Sequence, residues 1–403
     1  MKYILLLGAT FLIYVNSGAQ KMRYDDLMRL GKREFKKDTG QNYKMAAKYF
    51  EDAVKLKPNS AEAHYYLGYA LSRVESNDAT NMDQVSVQQT IRASQQFEIV
   101  NKLQPKYMGS TEILGPYSKI TAEWGSLAFK YWNNNQLDSA IWALKEGRNR
   151  GGFSDFIIAN AHNILDACDN NAILFNWGDD NTFGCLYIQL IENYRMDVSA
   201  IDASMLHTTW YPLALKRKGV VTFNFNEPSL DTLSYIFWRD STINIPINTT
   251  GNYFSWVIKP SYMDEVLLRG NRILLDILSA EKFERPVYFI YGCPKTETLN
   301  LESFFTDQVI VSKVKCNNDT VARSNIIYNL MSSVKLANKN NSDEVKLVNN
   351  YRYLILKQIE LNYNRQNING VKFLVSSLDK YIPEKEYPIE KGYTDFLKAM
   401  RKL

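Results

Sequence analysis

The stretch Asn171-Ala-Ile-Leu-Phe-Asn-Trp-Gly-Asp-Asp-Asn-Thr-Phe183, followed after an amphipathic run by Asp197-Val-Ser-Ala-Ile-Asp-Ala-Ser-Met-Leu206 and His207-Thr-Thr-Trp-Tyr211, decides the fold class. Ala172 to Phe175 is a short apolar run bounded by polar residues, which suits a buried strand. Helical periodicity runs over 182–194, a second strand reads at 198–205, and a second helix at 209–218. Strand, helix, strand, helix in that order predicts a parallel pair with a crossover helix. Upstream, residues 156–168 read as a helix. Downstream, 220–262 is irregular with β-rich pieces such as Val220-Val-Thr-Phe-Asn-Phe225 and Ile243-Asn-Ile-Pro-Ile247. A helix at 271–280 then leads into a strand at 287–291, and 309–314 reads as another strand.

The first third of the chain repeats itself. Ala46, Phe50, Ala53 and Pro58 follow the spacing 4, 3, 5, and Ala93, Phe97, Val100 and Pro105 repeat it. Upstream of each set lies a Leu-Gly pair, Leu30-Gly31 and Leu67-Gly68, where one helix needs a small residue against its partner. A third unit carries Trp124, Leu127, Ala128 and Tyr131, a turn at Asn133-Asn-Asn-Gln136, then Ala140, Leu144 and Gly147. This is the pattern of tetratricopeptide repeats, in which each helical pair buries its apolar face only against its neighbours. The last 80 residues are helical again, with an amphipathic run over 349–365, a turn at 367–370 and a second helix over 371–381. The expected architecture is an α/β domain with all-α flanks: a repeat stack at 20–155, a central, mostly parallel α/β domain at 156–320, and a helical, repeat-like region with a hairpin at 321–403.

Length and composition fit this reading. A chain of 403 residues exceeds one ordinary core. Lys2 precedes an apolar run from Tyr3 to Val15 that ends in Ser17-Gly-Ala19, which predicts a signal peptide at 1–19 cleaved after Ala19. The run is too short to span a bilayer, so the mature chain is expected in the periplasm or beyond, without a transmembrane anchor. The net charge of +5 is small, and its 48 basic residues are interleaved with 43 acidic ones, so nucleic-acid binding has no support. Four cysteines, Cys168, Cys185, Cys293 and Cys316, permit disulfides in an exported chain, and buried thiols are the alternative.

Further segments bear on family. Together with the opening stretch, Leu274-Leu-Asp276, Arg285-Pro-Val-Tyr-Phe289 and Leu299-Asn-Leu-Glu302 resemble the soluble C-terminal region of bacterial membrane protein O-mannosyltransferase-like glycosyltransferases, over roughly residues 160–385. In such enzymes the sugar-transfer chemistry belongs to membrane helices with no counterpart in this sequence. The resemblance therefore implies an accessory region.

Candidate site residues gather at the strand ends. Gly178-Asp179-Asp180-Asn181-Thr182 falls where the first strand passes into a helix, the edge where open α/β sheets place ligands. Asp179, Asp180, Asn181 and Thr182 are candidates for holding a cation or sugar hydroxyls; equally, Asp180 or Asn181 serves as the cap of a helix starting near Thr182. The relatives read Asn-Asp where this chain has Asp180-Asn181. His207, Trp210 and Tyr211 should lie beside this loop, the aromatics either stacking on a sugar ring or filling a strand-to-helix corner. Arg285 points either at the acidic loop or into a structural ion pair. His64 and His162 lack metal-ligand spacing. No Gly-x-Ser-x-Gly elbow, Walker loop, HExxH or Cys-x-x-Cys occurs, and no cofactor, catalytic set or metal site is expected. The leading expectation is an exported, non-enzymatic cell-envelope scaffold that binds a protein partner through its repeats. The alternative is an accessory factor in periplasmic protein O-glycosylation, partnered by a glycosyltransferase or an envelope membrane complex, or a glycan-binding protein using the acidic loop. A hydrolase or transferase built on Asp179 and Asp180 is a third.

Overall fold

The computed structural model describes residues 23–37, 40–77, 79–247, 252–315, 324–389 and 391–403. The expected leader with its cleavage point after Ala19, and Cys316, lie outside them.

Six helices build the N-terminal stack: α1 (Tyr24–Phe35), α2 (Tyr43–Leu56), α3 (Ala61–Ser76), α4 (Val87–Leu103), α5 (Pro116–Asn133) and α6 (Leu137–Asn149). Each packs on the next. Side chains of Asn42, Ser60 and Ser86 accept from backbone N–H groups three residues on and so start α2, α3 and α4. The repeat spacing has a steric cause. A Cβ on Gly31 would lie 2.5 Å from the Phe50 ring, and one on Gly68 would lie 2.8 Å from the ring of Phe97. The glycines thus let two successive helix pairs close on equivalent phenylalanines. In the third pair the roles are exchanged, and Gly147 on the second helix makes room for Trp124 of the first.

The long α4 to α5 connection is pinned from α3. The Tyr65 hydroxyl donates to Leu114 O (2.8 Å) and accepts from Glu112 N (2.8 Å). The Tyr69 hydroxyl likewise bonds Leu114 O and N, while Tyr66 reaches Ser110 Oγ at 2.9 Å. Tyr107 stacks on Tyr65 with ring centroids 4.8 Å apart.

The central unit runs α7 (Asp155–Asp166), β1 (Ile173–Asn176), α8 (Asp179–Glu192), β2 (Ser199–Asp202), α9 (Trp210–Arg217), α10 (Glu227–Thr232), β3 (Ile236–Phe237), β4 (Ser241–Ile247), β5 (Asn252–Ile258), β6 (Val266–Leu267), α11 (Arg269–Glu281), β7 (Val287–Ile290), β8 (Phe305–Asp307) and β9 (Val311–Val314). The five-stranded sheet has the order β2-β1-β7-β9-β8. β1 pairs in parallel with β2 and β7; β9 runs antiparallel to β7 and β8. The reversal follows from connection length, because β8 and β9 are joined by three residues and so close tight turns only as a hairpin. β1 and β7 are buried throughout, which is why they read as unbroken apolar runs.

One β-rich piece is corrected. Residues 220–225 form no strand. Their N–H groups go to carboxylates of α11 instead: Thr222 N to Glu281 Oε1 (2.6 Å), and Asn224 N and Phe225 N to Asp276 Oδ2 (3.0 and 3.2 Å). The β4–β5 hairpin lies outside the main sheet, turning Ile245, Phe254, Trp256 and Ile258 inward.

Helices α12 (Ser324–Ser333), α13 (Ser342–Asn364), α14 (Ile368–Tyr381) and α15 (Lys391–Met400) finish the chain. The expected hairpin is α13 with α14, and α12 docks on α7. The whole is a mixed α/β fold with helical flanks. Among the described residues no helix is long and apolar enough to cross a membrane.

The glycine crossings make a direct prediction. Gly68→Val should overpack against Phe97 and cost about 1–3 kcal/mol in urea unfolding. In a Phe97→Leu background the same change should cost measurably less. Equal cost in both backgrounds would refute the crossing contact.

Candidate functional site

The acidic loop sits at the carboxyl ends of β1 and β2. Gly178 adopts φ +87°, a conformation other residues rarely reach, and turns the chain from β1 straight into α8. The helix therefore begins at Asp179, about a turn earlier than its periodicity suggested. Neither Asp180 nor Asn181 is the cap; that place belongs to Gly178, which has no side chain to donate or accept.

The four first-turn side chains diverge. The Ser118 hydroxyl on α5 donates to Asp180 Oδ2 at 2.7 Å, while Asp180 Oδ1 is buried with no partner. Asn181 donates to Trp177 O (2.9 Å) and accepts from Asn160 (2.9 Å), whose own oxygen accepts from the Tyr351 hydroxyl. Thr182 Oγ1 donates to Asp202 Oδ2 at 2.5 Å. Asp202, at the end of β2, also accepts from Ser204 Oγ (2.5 Å) and Met205 N (3.1 Å). Asp179 faces Lys119 and Glu123 of α5, an ion pair of 2.6 Å whose side chains are each only 10% exposed.

Burial dominates the electrostatics. It pushes the Asp180 carboxyl up to about 8, with Asp343, Asp179 and Glu344 adding repulsion against the lowering bond from Ser118. Burial also pushes Asp179 up to about 6, despite the attraction of Lys119. A helix N-terminus favours anions by about 0.3–1 kcal/mol, under one pKa unit, so desolvation wins here. For Lys119, burial opposes the charge, but Glu123 and more distantly Asp179 raise its pKa above the ordinary lysine value.

Asp180 also lines a cleft of about 370 Å³ with Ser118, Arg148, Ser154, Asn341 and Glu344. The first turns of α5, α7, α8 and α13 converge on it. Glu344 Oε1 accepts from Ser154 Oγ (2.7 Å), and Asp343 Oδ2 accepts from Gly115 N (2.5 Å). Carboxyls with split pKa values can serve acid–base chemistry, yet these bind the repeat stack, the α/β unit and the C-terminal helices to one another. The arrangement is an acidic seam between three parts of the chain. Among the described residues no group of three or more His, Cys, Asp or Glu is disposed to hold a metal.

The remaining sequence candidates go elsewhere. Trp210 and Tyr211 are 7% and 1% exposed and pack on Phe129 of α5, with Trp210 Nε1 donating to Ala79 O at 3.2 Å. They fill the corner and offer no face to a sugar. His207 Nδ1 accepts from Gly270 N (3.3 Å), leaving Nε2 to donate to Glu297 (3.0 Å). Arg285 lies at the opposite, amino end of the strands. It donates to Asn171 O (2.9 Å), Ala172 O (3.2 Å), Val220 O (3.1 Å) and Ser199 Oγ (2.7 Å), with Glu281 at 4.0 Å, and does not approach the acidic loop. Cys168 and Cys185 are buried, and Cys185 and Cys293 form no disulfide.

Sequence reasoning passed over Lys119, Glu123 and Asp202. The signals were present: a charged i, i+4 pair inside the otherwise uncharged 119–129 segment, and an acid closing a strand that points at the ligand edge of the sheet.

The seam predicts a pH dependence. Folded-state pKa values raised above the unfolded value near 3.9 give stability that is complete below about pH 4 and lost as pH rises through about 6 and about 8. Wild-type urea midpoints should therefore fall between pH 5 and pH 8.5. Asp180→Asn, which mimics the acid form, should flatten that slope and be more stable than wild type at pH 8.5 by at least about 1 kcal/mol, the equivalent of roughly one pKa unit. Parallel pH profiles for the two proteins would mean that Asp180 titrates as an ordinary surface carboxyl.

Against known proteins, no curated sequence matches the chain. Residues 158–223, from α7 through the acidic loop to the segment after α9, match the family model described as TMEM260-associated domain 2, a domain linked to a glycosyltransferase-like protein family.

Proposed function

We propose that the chain is an exported scaffold of the cell envelope that carries a protein partner on its tetratricopeptide-like stack and runs no reaction of its own. The observation that supports this most directly is the α4 to α5 loop. Tyr65 and Tyr69 hold its backbone and Tyr66 its Ser110 hydroxyl in place, and from it Met108 and Ile113 project 72% and 67% exposed. Large apolar side chains displayed on a fixed loop are what a protein-binding surface requires. The candidate residues at the sheet edge, by contrast, are committed to contacts within the chain.

A second reading has its own support. The match of 158–223 to a domain linked to a glycosyltransferase-like family, and the resemblance to O-mannosyltransferase-like proteins, favour an accessory role in periplasmic protein O-glycosylation. In that reading the partner is a membrane glycosyltransferase or its acceptor protein.

Crosslinking in the native envelope tests both. Wild type and an Asp179→Asn, Asp180→Asn variant should capture the same partner, whereas Met108→Lys with Ile113→Lys should lose it with an unchanged melting temperature. If the loop variant retains the partner and the acidic variant loses it, the scaffold reading through the stack fails. A glycosyltransferase as the captured partner would select the accessory role.

A further inference from the structure

Beyond the carboxyl end of β7 lies a groove of about 530 Å³ that the partner-binding reading does not use. Tyr291, the residue after β7, forms one wall. Helix α13 contributes Tyr353, Leu356, Lys357 and Glu360, and the first turns of α15 add Gly392, Tyr393 and Phe396. Leu356 is the buried floor, while Tyr291 and Tyr393 are each 41% exposed. The rings of Tyr353 and Tyr393 stand 4.9 Å apart with their planes at 53°. They make a corner of two aromatic walls rather than a flat platform.

The charge around this corner is one-sided. The Lys357 ammonium pairs with Asp307. Glu360 has no ion-pair partner among the described residues, so one unpaired carboxylate lines the groove together with aromatic rings whose faces are electron-rich. That combination repels anions and attracts cations. A bare metal ion would find too few oxygen ligands here. A diffuse, weakly hydrated cation instead loses little on leaving water and gains contact with several rings at once.

We propose that this groove binds a small organic cation of the quaternary ammonium class, its charge set against the corner formed by the Tyr353 and Tyr393 rings and balanced by Glu360. Gly392 supplies a clean probe, because a Cβ built there meets nothing within 4 Å. A larger side chain at this position adds bulk at the rim of the groove without displacing its walls.

The experiment titrates the full chain with choline and tetramethylammonium, and with 3,3-dimethyl-1-butanol as the uncharged isostere of choline, following tyrosine resonances by NMR. The two cations should bind at least tenfold more tightly than the isostere. Gly392→Leu should abolish that binding and Glu360→Gln should weaken it several-fold, both with wild-type melting temperatures. Should Gly392→Leu not fold, Glu360→Gln decides alone. Equal affinity for choline and its isostere, binding untouched by either variant, or binding of a methyl glycoside or a lysine-containing peptide in place of choline would overturn the proposal.

Discussion

Helix α5 belongs to two cores at once, and the rest of the molecule is arranged around that fact. On one side Trp124 closes the repeat stack, its Nε1 donating to Ser94 Oγ at 3.0 Å and its ring meeting Trp142 edge-on. On the other, Gly125 lets the Phe183 ring of α8 approach so closely that a Cβ would sit 2.3 Å from it, and Phe129 joins Phe183, Trp210 and Tyr211 in one aromatic cluster. Twelve of its 18 residues are buried. A helix buried over most of its length has little solvent face to give up, so the stack and the α/β unit share their interior instead of touching across a wet interface.

This sharing accounts for the chemistry at the acidic loop. Residues that would be solvated at the edge of a free-standing α/β sheet are roofed by the first turns of α5 and α13. Asp179 and Asp180, each only partly exposed, consequently meet groups from two flanking units. The electrostatic character of the loop is set by its neighbours, not by its own sequence.

That distinction also separates what the chain discloses from what it conceals. The repeat spacing is legible because Gly31 with Phe50 and Gly68 with Phe97 are local steric rules repeated once, and β1 and β7 are legible because burial on both faces demands unbroken apolar runs. Contacts between distant segments are not. Val220 to Phe225 has the composition of a strand, yet its N–H groups are taken by Glu281 and Asp276, more than fifty residues away. Arg285 and the aromatic pair Trp210 and Tyr211 are conspicuous in sequence for residue type, but their partners are backbone carbonyls and α5 side chains that no local pattern announces. The start of α8 was displaced because a glycine at positive φ can cap a helix without any of the usual capping side chains.

The tyrosine-pinned loop between α4 and α5 has an entropic consequence. Fixing a backbone residue costs on the order of 1–2 kcal/mol, and a recognition loop that orders only on contact draws that cost from its binding energy. Here the hydroxyls of Tyr65, Tyr66 and Tyr69 meet it when the chain folds. A partner that settles on Met108 and Ile113 finds a surface already organised, so few contacts are enough for useful affinity. Loss of one hydroxyl would then weaken binding without removing any atom of the interface.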